Sequence, residues 1–401
     1  MNSELKPKIR FKGFTDDWEQ RKLENEVTDI IAGGDIDKNN SVEKGKYPIY
    51  ANALVNDGIV GFYNDYFRVK APAVTVTGRG EIGHAVARDL DFTPVVRLLS
   101  LKSNHYNHFL ARAINNLNVV SESTGVPQLT VPQLEKYEIK FPKTLEEEKQ
   151  IGNIFVQIDN LITLHQRKCD KLVELKKSLL EKMFPQNNSV IPEIRFKGFT
   201  DDWEQRKFGE ELETITDYVA AGSFADLAAN VKYLSNPSYA QLVRTVDIKN
   251  NFTSKDNVYV DKNAFNYLWR VNLKDECIIM PNIGNCGEIY LLNQGKLKYK
   301  NNVLGPNAIL VRSKKNDNKF LSFDFQTKEF QDRLKLIISP NGQTKFNKTE
   351  LKTIDLIVPN KDEQLKIGKT FSQIDNLITL HQRKHDKLNK IKQSLLNDMF
   401  V

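Results

Sequence analysis

The stretch Gln157-Ile-Asp-Asn-Leu-Ile-Thr-Leu-His-Gln-Arg-Lys168 occurs twice in this chain, and its second copy runs without a change from Gln373 to Lys384. Each copy lies within a longer run, residues 146–184 and 362–400, that repeats apolar residues every seven positions and holds almost no interior Gly or Pro. This pattern predicts two long helices of about 38 residues, each roughly 55 to 60 Å in length.

An apolar seam along each predicted helix requires a partner helix. We expect the two helices to pair antiparallel, so that His165 and His381 meet near the midpoint on a pseudo-two-fold axis, where a polar contact would fix the register. The alternative is that each imidazole only leans toward solvent. A metal site is not expected here, because no Cys or carboxylate accompanies both histidines.

The residues expected to pair are Ile151, Ile158, His165, Leu172 and Leu179 in the first helix and Ile367, Ile374, His381, Leu388 and Leu395 in the second. The seam is expected to include the residues three positions further on as well, at Ile154, Leu161, Leu175, Leu377 and Ile391. Both helices also have a predicted start. Thr144 with Glu147, and Asn360 with Glu363, have the spacing of a capping box, which satisfies free backbone N–H groups.

A second duplication precedes the helices. Residues 9–22 are repeated as residues 194–207, an offset of 185, whereas the helix stretches are offset by 373 − 157 = 216. The chain is therefore a lead-in, a globular region and a helix, followed by the same three parts again. This arrangement is an internal dimer, whose halves should pack about a pseudo-two-fold axis.

The predicted boundaries follow from these offsets. They are 1–144 for the first globular domain with its lead-in at 7–22, 145–185 for the first helix, 186–360 for the second globular domain with its lead-in at 192–207, and 361–401 for the second helix. Both globular regions alternate β-like runs with turns and short helices, which predicts an α+β fold. They correspond weakly but in order: Thr77-Gly-Arg-Gly-Glu-Ile-Gly83 parallels Pro281-Asn-Ile-Gly-Asn-Cys-Gly-Glu-Ile289, a glycine-rich turn between strands.

The composition sets broad limits on the function. The 401 residues carry a net charge of +7, which permits nucleic-acid binding without demonstrating it. Cys169, Cys277 and Cys286 are odd in number and have no CxxC spacing, so we expect reduced thiols rather than a disulfide frame or a zinc site. The chain has no apolar signal core and no apolar run of membrane length, so we expect a cytoplasmic protein.

Motifs that resemble catalytic sites are incomplete. Gly368-Lys369 resembles the end of a phosphate-binding loop, but the Gly required five residues earlier is Glu363. Asn236-Pro-Ser-Tyr239 is close to a motif of amino-methyltransferases but lacks its second Pro. His105 and His108 are expected to be surface residues, because nothing nearby completes a metal shell. We therefore expect no catalytic residues and no metal site in this chain.

Polar residues in and around the glycine-rich turns form the remaining candidate site. Arg and Lys suit guanine edges, Asn and Gln suit adenine edges, and Lys is also the usual phosphate contact. Any one of them could equally be a solvated loop residue, so the prediction depends on their grouping. The DNA-binding candidates are Asn52, Arg68, Arg79, Glu81 and Arg97 in the first domain and Arg244, Lys249, Asn250, Asn282, Asn285, Lys314, Lys315, Gln343 and Lys345 in the second.

The order of variable domain, long helix, variable domain and long helix, with short duplicated lead-ins, resembles the specificity (S) subunit of type I restriction-modification enzymes over essentially the whole chain. The features that carry the resemblance are Trp18 and Trp203 in the lead-ins, the closing segments 125–142 and 342–359, and the helix starts Glu363-Gln364 and Glu148-Lys149-Gln150. The first helix start departs from the second by one extra residue between its Glu and its Gln.

The resemblance implies that each globular region is a target recognition domain for one half of a bipartite sequence in double-stranded DNA. It implies that the helices form an antiparallel coiled coil that sets the spacing. Partners would be two modification (methyltransferase) subunits, which carry S-adenosylmethionine and methylate adenine, and restriction subunits, which use ATP and Mg²⁺; this chain would hold no cofactor. The rival interpretation is a coiled-coil scaffold for two protein-binding domains, which salt-sensitive, sequence-selective DNA binding would exclude.

Overall fold

The computed structural model describes residues 5–117, 119, 127–187, 189–339 and 344–401. The chain divides into two compact units: unit 1 consists of Met1–Arg167 and His381–Val401, and unit 2 consists of Lys168–Leu380. Each unit combines one globular domain with the beginning of the long helix that follows it and the end of the other long helix. Gly125 and Gly342, which open the two closing segments, lie outside the described residues.

Globular domain 1 is an α+β domain, as predicted. Its strands are β1 (Glu19–Lys22), β2 (Val27–Ala32), β3 (Tyr47–Tyr50), β4 (Ile59–Tyr63), β5 (Ala73–Val76), β6 (Ala85–Arg88), β7 (Thr93–Pro94), β8 (Leu99–Ser103) and β9 (Glu138–Phe141), and its helices are α1 (Asn107–Asn115) and α2 (Val131–Glu135). The strands form an antiparallel sheet in the order β2-β8-β5-β6, a smaller sheet β4-β3-β7 in which β3 and β7 are parallel, and the pair β1-β9. The long helix α3 (Leu145–Lys182) follows.

Globular domain 2 repeats this plan with additional short helices. Its strands are β10 (Glu204–Lys207), β11 (Thr214–Asp217), β12 (Ala240–Val243), β13 (Val258–Val260), β14 (Cys277–Pro281), β15 (Tyr290–Leu292), β16 (Asn302–Leu304), β17 (Ala308–Arg312) and β18 (Asp355–Val358). Its helices are α4 (Phe208–Glu211), α5 (Phe224–Asn230), α6 (Thr245–Lys249), α7 (Lys262–Tyr267), α8 (Asn318–Asp324), α9 (Lys328–Ile337) and α10 (Lys348–Leu351), before the long α11 (Lys361–Met399).

The sheets of domain 2 have the orders β11-β17-β14-β15, β13-β12-β16 and β10-β18, with β12 parallel to β16. They therefore match those of domain 1 strand for strand. In each large sheet one inner strand, β5 or β14, is buried at every residue. Successive side chains of a strand point to opposite faces, so both faces of these strands are covered, which explains their continuous apolar sequences.

The lead-ins are built into the cores of the two units. β1 pairs antiparallel with β9, and β10 pairs antiparallel with β18. The ring of Trp18 packs edge-on against Phe109 and against Phe400, which belongs to the end of the second helix stretch. In unit 2, Trp203 makes the same kind of contact with Phe184, at the end of the first helix stretch. Each core is thus completed by the helix that follows the other domain.

Helices α3 and α11 pack antiparallel within both units. In unit 1, contacts from α3 to α11 run from Asp159–Lys392, an ion pair of 2.7 Å, to His165–His381, where the two Nδ1 atoms lie 2.9 Å apart. In unit 2, Lys176 and Asp375 form the equivalent ion pair at 2.8 Å. The predicted contact between the two histidines is present. One imidazole must donate and the other accept, because a neutral ring carries a single N–H.

Four of the five residues in the second seam set were assigned to the wrong face, and the fifth, Ile154, is half-buried against the core of unit 1. Ile151, Ile158, Ile367 and Ile374 are buried, and the other residues expected to pair are half-buried. However, Leu161, Leu175, Leu377 and Ile391 are 38% to 46% exposed. The buried positions lie four residues after the first set, at Phe155, Ile162, Cys169 and Lys176 in α3 and at Met183 directly after it, and each is buried or half-buried.

The predicted caps are present at both helix starts, but the Glu side chain of each capping box has a different partner. Thr144 Oγ1 accepts a hydrogen bond from the Glu147 backbone N–H (3.4 Å), and Asn360 Oδ1 accepts one from Glu363 (3.0 Å). The Glu side chains, instead of reaching back to the cap, bind lead-in arginines. Arg10 Nε lies 2.6 Å from Glu147, and Arg195 Nη2 lies 2.7 Å from Glu363.

These ion pairs also correct the alignment of the two starts. Since Arg10 and Arg195 are equivalent lead-in residues, Glu147 is the counterpart of Glu363. Glu148 is then the counterpart of Gln364, and no extra residue separates the two copies.

Candidate nucleic-acid interface

The glycine-rich turn of domain 1 joins β5 to β6. The Thr77 N–H donates to His84 O (3.0 Å), and the Gly83 N–H donates to Thr77 O (2.8 Å). Gly83 has φ +82°, in the left-handed region that favours glycine. The turn closed in this way leaves Arg79 and Glu81 exposed at its tip.

Asn52 connects this turn to a neighbouring loop. Its Oδ1 accepts a hydrogen bond from the Gly78 N–H (2.8 Å), and its Nδ2 donates to the carbonyl of Val96. Gly78 has no room for a side chain, because a Cβ there would lie 2.7 Å from the Arg97 carbonyl oxygen. Asn52 is half-buried, so it serves to position this surface rather than to extend from it.

The two remaining arginines of domain 1 lie beside the same loop. Arg97 is exposed at φ +60°, and its Nη1 lies 3.4 Å from Gln128 Oε1. Arg68 is also exposed, and it lies beside Gly34, where its Nη1 is 3.3 Å from the position that a Cβ would occupy. The Gly34 carbonyl in turn accepts a hydrogen bond from the Val96 N–H. The five candidates of domain 1 therefore converge on one surface. Gln128 belongs to it too, and the sequence offered no pattern that would have selected it.

In domain 2 the equivalent turn follows β14 and is held from inside. Asn282 Nδ2 donates to the Phe346 carbonyl (3.1 Å), and the Phe346 N–H donates to Asn282 O (3.1 Å). Lys345 forms an isolated antiparallel β-bridge, a backbone pairing, with Ile283 in the same turn. Asn282 is half-buried, whereas Asn285 and Lys345 are exposed. The amide of Asn282 thus fixes the turn, and the other two side chains are left for a ligand.

Two further candidates lie close to this turn. Lys249 Nζ forms an ion pair of 2.9 Å with Glu288, the residue next to the turn's last glycine, and Asn250 beside it is exposed. Arg244 is engaged elsewhere. Its guanidinium binds both carboxylate oxygens of Asp247 (3.0 and 2.7 Å) at the start of α6, so its donors are largely used within the domain.

Lys314 and Lys315 do not join this group. They come after the C-terminal end of β17, whereas the glycine-rich turn contacts Asn307, which directly precedes the N-terminal end of that strand. Their backbone N–H groups donate to Glu213, and Lys315 Nζ pairs with Glu211 at 2.6 Å. Gln343 lies outside the described residues.

The two surfaces therefore differ in chemistry. Domain 1 presents three guanidinium groups and one carboxylate, from Arg68, Arg79, Arg97 and Glu81. Domain 2 presents amides and ammonium groups, from Asn250, Asn285, Lys249 and Lys345. Guanidinium groups match the paired acceptors of guanine, amides match the donor and acceptor of adenine, and ammonium groups match guanine or phosphate, so the two surfaces offer different hydrogen-bonding groups.

His105 was wrongly expected to be a surface residue. Its side chain is 13% exposed, and its ring nitrogens lie 2.6 Å from Glu148 Oε1 and 2.7 Å from Glu26 Oε2. The pKa of His105 is subject to opposing effects. Burial lowers it, but the hydrogen bonds and charges of Glu148 and Glu26 raise it above the ordinary value of 6.5. Because these carboxylates are distant in sequence, spacing alone could not reveal the cluster.

The described part of the chain contains no group of three or more His, Cys, Asp or Glu side chains that could hold a metal ion. No helix among the described residues is long and apolar enough to cross a membrane. Burial raises the pKa of the Cys277 thiol to about 11, which keeps this thiol protonated and unreactive.

Comparison with known proteins adds a family and a fold. A model described as the type I restriction modification DNA specificity domain matches residues 15–174 and 201–390. The type I restriction enzyme MjaVIII specificity subunit of Methanocaldococcus jannaschii is 24% identical over 291 residues, which is 69% of this chain and 64%, less than two thirds, of that relative. The crystal structure of a type I restriction-modification S subunit from M. genitalium has a TM-score of 0.66 at 15% identity and covers 99% of both chains, which shows a shared fold.

Proposed function

We propose a function from one premise: the chain belongs to the type I restriction-modification DNA specificity family. It is the subunit that recognises the DNA sequence in a type I restriction-modification complex. Each globular domain reads one half of a bipartite target, and the bases between the halves are not read. Partner subunits carry out adenine methylation and restriction, and this chain supplies no catalytic residue.

The observation that carries the proposal is the pairing of one scaffold with two different surfaces. The large sheets have the same strand order, and in both domains the turn from an inner strand, β5 or β14, to an edge strand, β6 or β15, carries candidate residues. Yet the turn of domain 1 exposes Arg79 and Glu81, and that of domain 2 exposes Asn285. Two equivalent readers with different side chains are what a target with two unequal halves requires.

The long helices are proposed to set the length of the unread spacer. The contact of His165 with His381 and the two ion pairs fix the register of α3 against α11. A fixed register prevents the helices from sliding, which supports a constant spacer. By analogy with paired half-sites on one face of a duplex, we expect half-site centres about 10 bp apart.

Exposed leucines in the duplicated stretch support two equivalent partner sites. Leu161 and Leu164 on α3, and Leu377 and Leu380 on α11, are 43% or 44% exposed. Residues three apart share a helix face, so each pair forms one apolar ridge. Identical ridges would accept two copies of one protein, and we propose the modification subunit as that protein.

The cofactors are assigned to these partners. S-adenosylmethionine is proposed to bind the modification subunits, and ATP and Mg²⁺ to bind the restriction subunits. Double-stranded DNA is the proposed ligand of the whole assembly. The assembly is proposed to work in the cytoplasm, where it meets the DNA.

The decisive experiment is a map of methyladenine in a methylation-free host. The chain is expressed with its modification subunit, and the control strain expresses the modification subunit alone. We expect one new bipartite motif that requires this chain. If both proteins co-purify and no new motif appears, DNA recognition is refuted and a scaffold without DNA binding replaces it.

A further inference from the structure

One buried cluster of unit 1 joins globular domain 1 to the start of α3. Glu26 immediately precedes β2, His105 lies just before α1, and Glu148 is in the first turn of α3. Their side chains are 15%, 13% and 3% exposed, and the ring of Phe141 stacks on the imidazole at 4.1 Å. The imidazole is therefore enclosed by a carboxylate from the domain and a carboxylate from the helix.

The protonation state of His105 decides whether both contacts are favourable. Protonated imidazole has two N–H donors and satisfies both carboxylates, whereas neutral imidazole has one and turns a lone pair toward the other carboxylate. The other groups facing the cluster do not replace the missing donor. Arg21 Nη1 lies 3.2 Å from Glu26, and the Tyr106 N–H donates to Glu148 at 2.9 Å, so each carboxylate already uses these donors.

Unit 2 contains the same cluster in a form that does not titrate at the central position. Asn316 takes the place of His105: its Nδ2 donates to Glu211 Oε2 (2.8 Å), and its Oδ1 accepts from Gln364 Nε2 (2.8 Å). The Asp317 N–H donates to Gln364 Oε1 (2.9 Å), as the Tyr106 N–H donates to Glu148 in unit 1. An amide donates and accepts at every ordinary pH.

We propose that Glu26, His105 and Glu148 form a pH-sensitive latch that fastens globular domain 1 to α3, and that unit 2 carries a pH-insensitive version of it. Because the pKa of His105 is raised in the folded chain, the stability that protonated His105 gives to the latch is fully present below about pH 6.5. This stability is lost as the pH rises through the raised pKa. The latch itself is independent of the proposed function, but weaker reading of one half-site at alkaline pH would depend on that function.

The test is amide hydrogen exchange of the full chain between about pH 6 and about pH 9, corrected for the intrinsic pH dependence of exchange. Residues 23–30 and 105–110 report on the latch, and residues 208–215 and 316–321 report on its counterpart. Burial raises the pKa of Asp324 in unit 2 to about 7, so all measurements use the Asp324→Asn background to remove a second titration. We expect corrected exchange in the latch segments to rise roughly tenfold over this range and to stay level in unit 2.

The matched variants exchange the residues of the latch in unit 1 with the equivalent amides of unit 2, and the reverse. His105→Asn with Glu148→Gln should abolish the pH dependence in unit 1, and Asn316→His with Gln364→Glu should create one in unit 2. Level exchange in unit 1 of the background chain, or an unchanged rise in the first double variant, overturns the latch. If that variant does not fold, the background chain and the second double variant decide. DNA is absent throughout, so failure of the latch is distinct from failure of the proposed function.

Discussion

The lead-ins and the glycine-rich turns are both present twice and keep equivalent backbone contacts in both units, but the side chains of the turns differ. The Ile9 N–H donates to Asp398 O at 2.9 Å, and the Ile194 N–H donates to Lys182 O at 2.8 Å. At the turns, by contrast, Gly78 stands where Asn282 stands in the other domain. The contacts that hold the scaffold together are thus repeated, and the exposed chemistry is not, so one scaffold can carry two recognition surfaces.

One contact breaks the repetition even inside the lead-ins. Trp18 Nε1 lies 3.3 Å from Glu147 Oε1 and can donate to it, whereas Trp203 Nε1 is buried without a hydrogen-bond partner among the described residues. Glu363 therefore depends on Arg195 more than Glu147 depends on Arg10. Identical sequences have acquired unequal energetics through the residues packed around them.

The largest expected effect comes from removing these arginines. Arg10→Ala and Arg195→Ala each leave a Glu side chain that is at most 1% exposed without its cation, which should destabilise the unit by about 3 to 5 kcal/mol. We expect the larger loss for Arg195→Ala. Urea unfolding of the full chain, with hydrogen exchange of β1–β9 and β10–β18 to locate the loss, measures both.

Lys12→Ala and Lys197→Ala are the controls for this comparison, because these lysines occupy equivalent exposed positions two residues further along the lead-ins. They should change the free energy of unfolding by no more than about 0.5 kcal/mol. Arginine variants no less stable than the lysine variants would contradict the assigned role of the buried ion pairs.

Much of the scaffold was predictable because the chain contains its own comparison. The two offsets identified equivalent segments, and the contact of His165 with His381 followed from their shared heptad position. The face of the helices was harder to predict, because apolar residues occur both three and four positions after Ile151, at Ile154 and Phe155. At this level both side chains pack into the core of unit 1, where the rings of Phe155 and Phe400 are 5.9 Å apart. Further along α3 only the position four residues on stays covered, because Leu161 and Leu175 are exposed.

The candidate site was predictable only in part, for a similar reason. Residue types and turn positions located the surface that contains Arg79 and Arg97. They could not show that Arg244 is held by Asp247 or that Lys315 lies at the far end of β17. His105 was missed because its two carboxylates are 79 and 43 residues away in the chain. Contacts of that range are set by tertiary packing, which local patterns do not contain.

A smaller effect should distinguish the two turns. Gly78→Ala places a Cβ 2.7 Å from the Arg97 carbonyl, and such overpacking costs about 1 to 3 kcal/mol and should displace Arg79. Asn282→Ala removes only a hydrogen bond to Phe346, at a cost of about 1 kcal/mol. Binding of the assembled complex to duplexes with one half-site altered measures the outcome. Each variant should lose discrimination at its own half-site and keep it at the other.

Loss of discrimination at both half-sites in either variant would show that the domains do not read independently. Equal effects of the two substitutions would show that the turns, despite Gly78 and Asn282, are held alike. Either result would contradict, at the glycine-rich turns, the distinction between a scaffold that is repeated and recognition surfaces that differ.

The smallest expected effect on stability belongs to the leucine ridges, which are exposed. In the double variants Leu161→Ser with Leu164→Ser, and Leu377→Ser with Leu380→Ser, each substitution should change the free energy of unfolding by no more than about 0.5 kcal/mol. Each pair should nevertheless remove one modification subunit from the complex, which native mass spectrometry would detect as one bound copy instead of two. Leu336→Ser, at a side chain that is 86% exposed, is the control and should leave both copies bound.

The four-fold substitution extends this comparison. If the ridges are equivalent partner sites, it should release both modification subunits while the chain remains folded. Retention of two subunits would assign the binding surface to another duplicated part, and the lead-ins would then be the next candidates. Loss of both subunits from a single double variant would mean that the two sites are coupled, so that the repeated scaffold acts as one surface rather than two.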